Sequence, residues 1–268
     1  MSELLRILNN SRVYDLAQPY FVGMPHFPTH PPFLFGLTKK HGDYVGPGGM
    51  SSAADSISMG GHVGTHIDAL NHFSCGGKLF GGAAVEPIQS YGGGVNHHSV
   101  DTVAPILRRG VLLDIAAQQK LEALPKDFAI TPEHLERAER EQGMAVQQGD
   151  VVLLRTGWAR YYEDAARYIS ETHCPGIAIE GARWLSSRGV FAAGSDTVAL
   201  ELSPNPAMPV HVHLLVESGI HIIEVLNLEE IASDRVYTFV FMAAPLKIRG
   251  GTGAPIRPLA ISTNQENK

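Results

Sequence analysis

The sequence predicts an α/β fold, a single domain with a mixed β-sheet core and flanking helices. Three observations predict it. Short apolar runs bounded by turn residues recur along the chain, and segments with helix start and stop signals lie between them. No repeat, charge run or low-complexity tract divides the 268 residues, so the domain is read over 1–268. Taken in order, the stretch 19–33, PYFVGMPHFPTHPPF, is too rich in proline for a helix or a central strand. Its aromatic side chains need a surface to lie on, and it reads as an extended arm. Ser56-Ile57-Ser58-Met59 alternates like a half-buried strand, and the glycines at 60, 61 and 64 break it into a turn. Val111 to Ile115 follows Gly110, Val151 to Leu154 follows Gly149-Asp150, and both read as buried strands. Thr131-Pro132-Glu133 is a helix start, with Gly143 as its stop. Ile179 to Arg188 reads as a second helix, ending at Gly189 and leading into a strand from Val190 to Ala193. Val236 to Ala243 and Ile256 to Ile261 add two strands around PLKIRGGTGAP, whose glycines permit a tight loop near a ligand.

Composition excludes several classes of function. Lys and Arg number 21 against 27 Asp and Glu, a formal charge of −6, which does not suit a phosphate backbone and makes nucleic acid an unexpected partner. No apolar run approaches the roughly 20 residues of a membrane helix, and the opening MSELLRILNNSRVYDL lacks a long apolar core behind a basic head. A cytoplasmic protein without a membrane partner is expected. Cys75 and Cys174 are too few for a disulfide framework. Histidine is the unusual residue: there are 13, and they cluster.

The cluster that carries chemistry is Gly61-His62-Val63-Gly64-Thr65-His66-Ile67-Asp68-Ala69-Leu70-Asn71-His72-Phe73. Three imidazoles and a carboxylate fall at 62, 66, 68 and 72, all even positions, so an extended chain puts them on one face. Histidine nitrogen and aspartate oxygen are ligands for zinc, manganese or iron, and an incomplete ligand set leaves room for water. A lone histidine is more often a satisfied core residue. Four ligand-type groups between glycines and apolar residues favour a site. Cys75 has no nearby partner cysteine and reads as an inert thiol, and no G-x-S-x-G elbow offers a serine nucleophile. Ser195-Asp196-Thr197, at a strand end, reads as a turn.

The segment HVGTHIDALNHF, 62–73, resembles the HxGTHxDxPxHF signature of the metal-dependent cyclase-like hydrolases, the family of bacterial kynurenine formamidases and isatin hydrolase. The likeness continues in family order over most of the chain. Val13-Tyr14-Asp15-Leu16 resembles the opening strand, GDVVLLRTGW (149–158) the central strand and turn, and APLKIRGGTGAPIR (244–257) the closing loop. Leu70 stands where many members have proline, a change in loop stiffness that removes no ligand. The resemblance implies a fold of the swivelling β/β/α kind.

It also implies roles. His62, His66 and Asp68 would hold a divalent metal, zinc or manganese, and His72 would be the proton shuttle. A histidine and a glutamate from the C-terminal third would complete one or two ion sites per subunit. Glu224, in the apolar run Ile220-His221-Ile222-Ile223-Glu224-Val225-Leu226, is costly to bury without a ligand or a partner, the other reading being an exposed edge strand. His211 and His213 compete for the histidine role, and the family's spacing to the glutamate falls between them. In a helix, residues two apart point about 200° apart, and His211 shares its face with Leu214 and Leu215, so His211 is chosen. Phe27, before Pro28 and ahead of Pro32-Phe33, resembles the aromatic residue that packs on the substrate ring. The activity implied is hydrolysis of an amide C–N bond in a small aromatic substrate by metal-activated water. A cyclic imide, isatin or lactone hydrolase of the same family, or a metal-binding module without turnover, is the alternative. The aromatic arm and the resemblance suggest a homodimer or higher homo-oligomer.

Overall fold

Val151–Arg155 is buried at every position, the pattern of a strand covered on both faces. It is the middle strand of a nine-stranded sheet in the computed structural model, which describes residues 9–170 and 173–263. The first half of the opening segment, MSELLRIL, lies outside the described residues. Along the chain the strands are β1 (Ser11–Asp15), β2 (Leu34–Lys39), β3 (Ala54–Ser58), β4 (His66–Asp68), β5 (Gln89–Ser90), β6 (Gly94–Val95), β7 (Ile106–Asp114) and β8 (Ala129–Ile130). They continue with β9 (Val151–Arg155), β10 (Gly176–Ile177), β11 (Ala192–Ser195), β12 (His221–Glu224), β13 (Thr238–Ala243), β14 (Gly253–Pro255) and β15 (Leu259–Thr263). The main sheet runs β1-β15-β13-β7-β9-β11-β12-β4-β14. It is parallel from β7 through β9 and β11 to β12, and antiparallel on either side.

Alternate residues of the central strands feed two cores. Val152, Leu154, Ala193 and Ile222 pack under Leu135 and Leu185 of the helices Pro132–Gln142 and Ile179–Ser187. Val151, Leu153 and Ile223 face the other way, into a cluster with Tyr14, Ile67, Phe241 and Ala254. That second cluster draws on β1 and β14, the two ends of the sheet, so the sheet curls around it. Each fully buried Leu or Ile contributes about 1.5–3 kcal/mol. Arg155 ties the middle strand to its neighbours: Nη1 donates to Asp114 Oδ1 (2.9 Å), while Nε and Nη2 donate to the two oxygens of Glu229 (2.8 and 2.9 Å). The helix at 132 starts as expected, with Pro132 in its first turn and the Thr131 N–H donating to His134 Nδ1 (3.1 Å). It stops at Gly143, whose φ of +67° suits glycine.

Several elements differ from expectation: β7 begins at Ile106 with Gly110 inside it, and β13 begins at Thr238 rather than Val236. The strand expected over Ile256 to Ile261 begins only at Leu259, as β15, because Pro258 cannot donate to a ladder, while Gly253–Pro255, expected as loop, forms β14. The strand expected from Val190 begins at Ala192. β3 is exposed along its length instead of half-buried, since it pairs with β2 alone in a ribbon outside the main sheet.

Ser195 ends β11, and the residue after it is no solvent-facing turn. Asp196 is completely buried, with Oδ1 accepting from the Thr156 N–H (2.9 Å) and hydroxyl (2.6 Å) and Oδ2 unpartnered. Burial pushes its carboxyl up to about 6. A raised carboxyl pKa means that the folded state holds the proton longer, so its contribution to stability falls as pH rises from the unfolded pKa near 3.8 through 6. Asp196→Asn cannot ionise. Its stability relative to wild type is expected to improve by about 2–3 kcal/mol between pH 4 and pH 7, read from urea midpoints at the two pH values.

Candidate metal centre

Strand register assembles the site. In the antiparallel pair β4–β12, Glu224 lies opposite His66 and Ile222 opposite Asp68. His66 and Asp68, two apart, leave the same face of β4, and Glu224 leaves that face from the facing strand. β12 lies between β11 and β4, so Glu224 is on an interior strand and buried. His62 comes from the turn before β4, and its ring occupies the space that a side chain on Gly253 would fill. Its Nδ1 donates to Asp68 Oδ1 (2.6 Å), and the Thr252 hydroxyl donates to Nε2 (2.8 Å). The glycines of the closing loop thus make room for a ligand-type ring. The His72 ring stacks on that of His62, with centroids 3.8 Å apart, and burial lowers it to about 3.

His211 enters from the helix Pro209–His211, which continues as a π-helical turn over Val212–Glu217. It is buried, with Nε2 3.3 Å from Glu224 Oε1, and Nδ1 donates to Glu201 Oε2 (2.9 Å). His213 turns away, paired with Glu217 (2.7 Å) and Ser186 (2.8 Å). Non-glycine residues with positive φ stand beside these groups: Leu200 (+51°) before Glu201, Met208 (+44°) before the helix, and Val225 (+58°) after Glu224. A β-branched residue in that region is an outlier that only firm surroundings maintain.

Two donor sets share one carboxylate: His62, Asp68 and His72, and His66, Asp68 and Glu224, with the donor atoms of each set within 4.8 Å of one another. His66 Nε2 lies 3.4 Å from both Asp68 Oδ1 and Glu224 Oε2. His66 Nε2, Asp68 Oδ2 and Glu224 Oε1 are buried without a hydrogen-bond partner. Such atoms are costly unless something binds them. Ligand atoms about 2.1 Å from a tetrahedral ion stand about 3.4 Å apart, the separation seen around His66. The electrostatics agree. Burial alone would lower His66 and His211, yet the carboxylates hold both near 10, through Asp68 and Glu224 for His66 and through Glu201 and Glu224 for His211. Asp68 is held well below the usual carboxylate range, against its burial, by the histidines around it. All three shifts describe a cage that favours a cation, and its donor set fits a divalent metal.

Phe27 is half-buried and reaches the cluster through His30, whose ring lies 5.9 Å from that of Phe27 and 5.3 Å from that of His62. Glu201, Thr252 and His30 escaped the sequence reading. Glu201 sits among residues with no ligand spacing, and only the fold returns its carboxylate to His211. Cys75 is exposed in a turn, and Cys174 is buried, its thiol pushed up to about 12 by burial.

A family model described as "Putative cyclase" matches residues 14–202. The chain belongs to this cyclase family. Two curated relatives of the chain carry enzyme names. An isatin hydrolase of Roseibium aggregatum is 28% identical over 211 residues, covering 76% of this chain and 72% of its own. A kynurenine formamidase of Bacillus cereus is 25% identical over 252 residues, covering 93% and 97%. Among solved structures, one described as a novel cyclase superposes with a TM-score of 0.87 at 29% identity, covering 98% of this chain and 90% of that one. A potential metal-dependent hydrolase with cyclase activity superposes with a TM-score of 0.62 at 25% identity, covering 94% and 98%. The cyclase family therefore shares this α/β architecture.

Within the site, Glu201 also accepts the backbone N–H groups of Val210 (3.1 Å) and His211 (3.2 Å), so it fixes both the helix start and the imidazole. A carboxylate behind a ligating histidine sets its tautomer and orientation. Glu201→Gln is expected to weaken metal affinity by about 10- to 100-fold, while His213→Ala leaves it unchanged. Isothermal titration of the metal-stripped proteins with zinc checks both.

Proposed function

We propose that the chain is a metal-dependent hydrolase that cleaves the amide C–N bond of a small aromatic substrate, in the manner of a kynurenine formamidase. The observation that carries the proposal is the convergence of three buried, unpartnered donors, His66 Nε2, Asp68 Oδ2 and Glu224 Oε1, beside a stacked histidine pair. His62, His66 and Asp68 would hold the first ion, and Asp68, Glu224 and His211 would hold a second, with zinc or manganese as the metal. When bound, a divalent ion supplies a water of lowered pKa and polarises the scissile carbonyl. Burial favours the neutral form of His72, and by its resemblance to the family's shuttle this imidazole would take a proton from water and deliver it to the departing nitrogen. Phe27 and His30 stand on the arm side of the cluster, where an aromatic substrate ring would have a flat partner.

The site serves a small molecule, and among the described residues no helix is long and apolar enough to cross a membrane. Cytoplasmic location is part of the same reading. A homodimer is supported by the outward face of the β2–β3 ribbon, where Phe35 and Ile57 pair across the strands and both are exposed. Together with Tyr20, Phe33, Met59 and Leu246 they line an apolar groove of about 580 Å³. Exposed apolar patches of this kind mark contact surfaces, and sedimentation of the protein with and without Phe35→Asp tests the dimer.

Metal removal tests the activity. Exhaustive chelation is expected to abolish hydrolysis of formanilide or N-formylkynurenine, and zinc or manganese to restore it. Full-rate turnover by metal-stripped protein contradicts the proposal, and turnover of isatin or a lactone in place of the open amide moves the activity to the alternative within the family.

A further inference from the structure

The arm brings a histidine to the metal cluster that neither ligation nor the proton shuttle uses. Phe27-Pro28-Thr29-His30 is a turn closed by the His30 N–H on Phe27 O (2.9 Å), which sets both side chains toward the cluster. The next residue is fixed too, since the Gly60 N–H donates to Pro31 O (3.3 Å), and Pro31 and Pro32 have no backbone N–H to lose. The His30 ring stands 5.3 Å from that of His62 and 6.3 Å from that of His72, between the stacked pair and Phe27. Its Nδ1 donates to the main-chain oxygen of His62 (3.2 Å). A carbonyl can only accept, so the proton of the neutral ring sits on Nδ1 and the lone pair on Nε2. His30 is therefore a fixed acceptor beside the cluster, half-buried and next to the Phe27 ring.

We propose that His30 is a specificity-determining residue whose Nε2 accepts the N–H of the substrate amide, so that the site selects secondary amides and lactams over esters, lactones and N-alkylated amides. The inference rests on the amide-hydrolase reading above and deepens it. During amide cleavage the nitrogen becomes pyramidal, and its developing lone pair must face a proton donor. Holding the N–H on the His30 side turns that lone pair toward His72, which carries the proton for the departing amine. An ester or lactone has no hydrogen to give, and its oxygen sets a lone pair against that of Nε2. An acceptor left unsatisfied when the bound ligand excludes water lowers affinity by about 10- to 100-fold.

The test is a binding cycle on zinc-loaded protein with two probes, oxindole and N-methyloxindole, against wild type, His30→Phe and His30→Asn. N-methylation is expected to weaken binding to wild type by about tenfold or more, and to cost less than about threefold in His30→Phe, which has no acceptor. His30→Asn, whose amide oxygen still accepts, should keep part of the discrimination. Equal N-methyl penalties in wild type and His30→Phe overturn the assignment. So does the absence of measurable binding of either probe to wild type. Formanilide turnover by wild type is read separately: its absence sinks the hydrolase reading, whatever the binding ratio.

Discussion

Asp68→Ala is expected to lose the bound metal and to lower kcat/KM by at least about 10⁴-fold, the upper end for removal of one catalytic group. Asp68 is the donor common to both sets, and its Oδ1 also accepts from His62. Its removal leaves His62 without its partner and His66 facing Glu224 alone, with two buried nitrogens unsatisfied. The cage then carries less negative charge, so the advantage of a cation falls along with the ligand count. Metal content by mass spectrometry and kcat/KM on one amide check the two parts together. Asp68→Asn guards against misfolding as the cause, because it keeps the volume of the side chain and removes the charge. Loss of activity with full metal content would make Asp68 a bystander to ligation.

His72→Ala is the second large effect, and its signature differs. The bound metal is expected to stay while kcat falls by about 10²- to 10⁴-fold, as for a lost general acid-base group. His72 stacks on His62 and lies edge-on to Phe73, so its removal opens a space beside the ligands without touching His66, Glu224 or His211. Its nitrogen also lies within reach of a ligand role, in the set with His62 and Asp68. Metal content separates these roles. A variant that loses one ion makes His72 a ligand, and one that keeps both its metal and its kcat removes it from the chemistry.

The α/β architecture was legible because its signals are local. The run Val151 to Leu154 is apolar on both faces, Thr131-Pro132 and Gly143 bound a helix by known chemistry, and neither needs the rest of the chain. A boundary moved where proline intervened, at 258, and burial was misjudged where a strand found no cover, at β3. The site divides in the same way. The segment 62–72 displays its ligand-type residues at short spacing, and the helical reading of 209–217 sets His211 and His213 on opposite sides, as the π-helical turn also does. Glu201 and His30 act through pairings with no sequence signature, a carboxylate that meets an imidazole ten residues on and an arm histidine that bonds the main chain of His62. Asp196 read as a turn because Ser-Asp-Thr is turn chemistry, and only the strand pairing of β9 with β11 brings the Thr156 donors to it.

The central claim is that the buried donors of β4 and β12 hold a divalent metal. Crystals of the zinc-soaked protein, with anomalous difference maps recorded on both sides of the zinc absorption edge, test it most directly. The account predicts peaks among His62, His66 and Asp68 and among Asp68, Glu224 and His211, absent below the edge and absent in Asp68→Ala crystals. Zinc bound elsewhere, with His66 still 3.4 Å from both carboxylates and no peak among them, would contradict it.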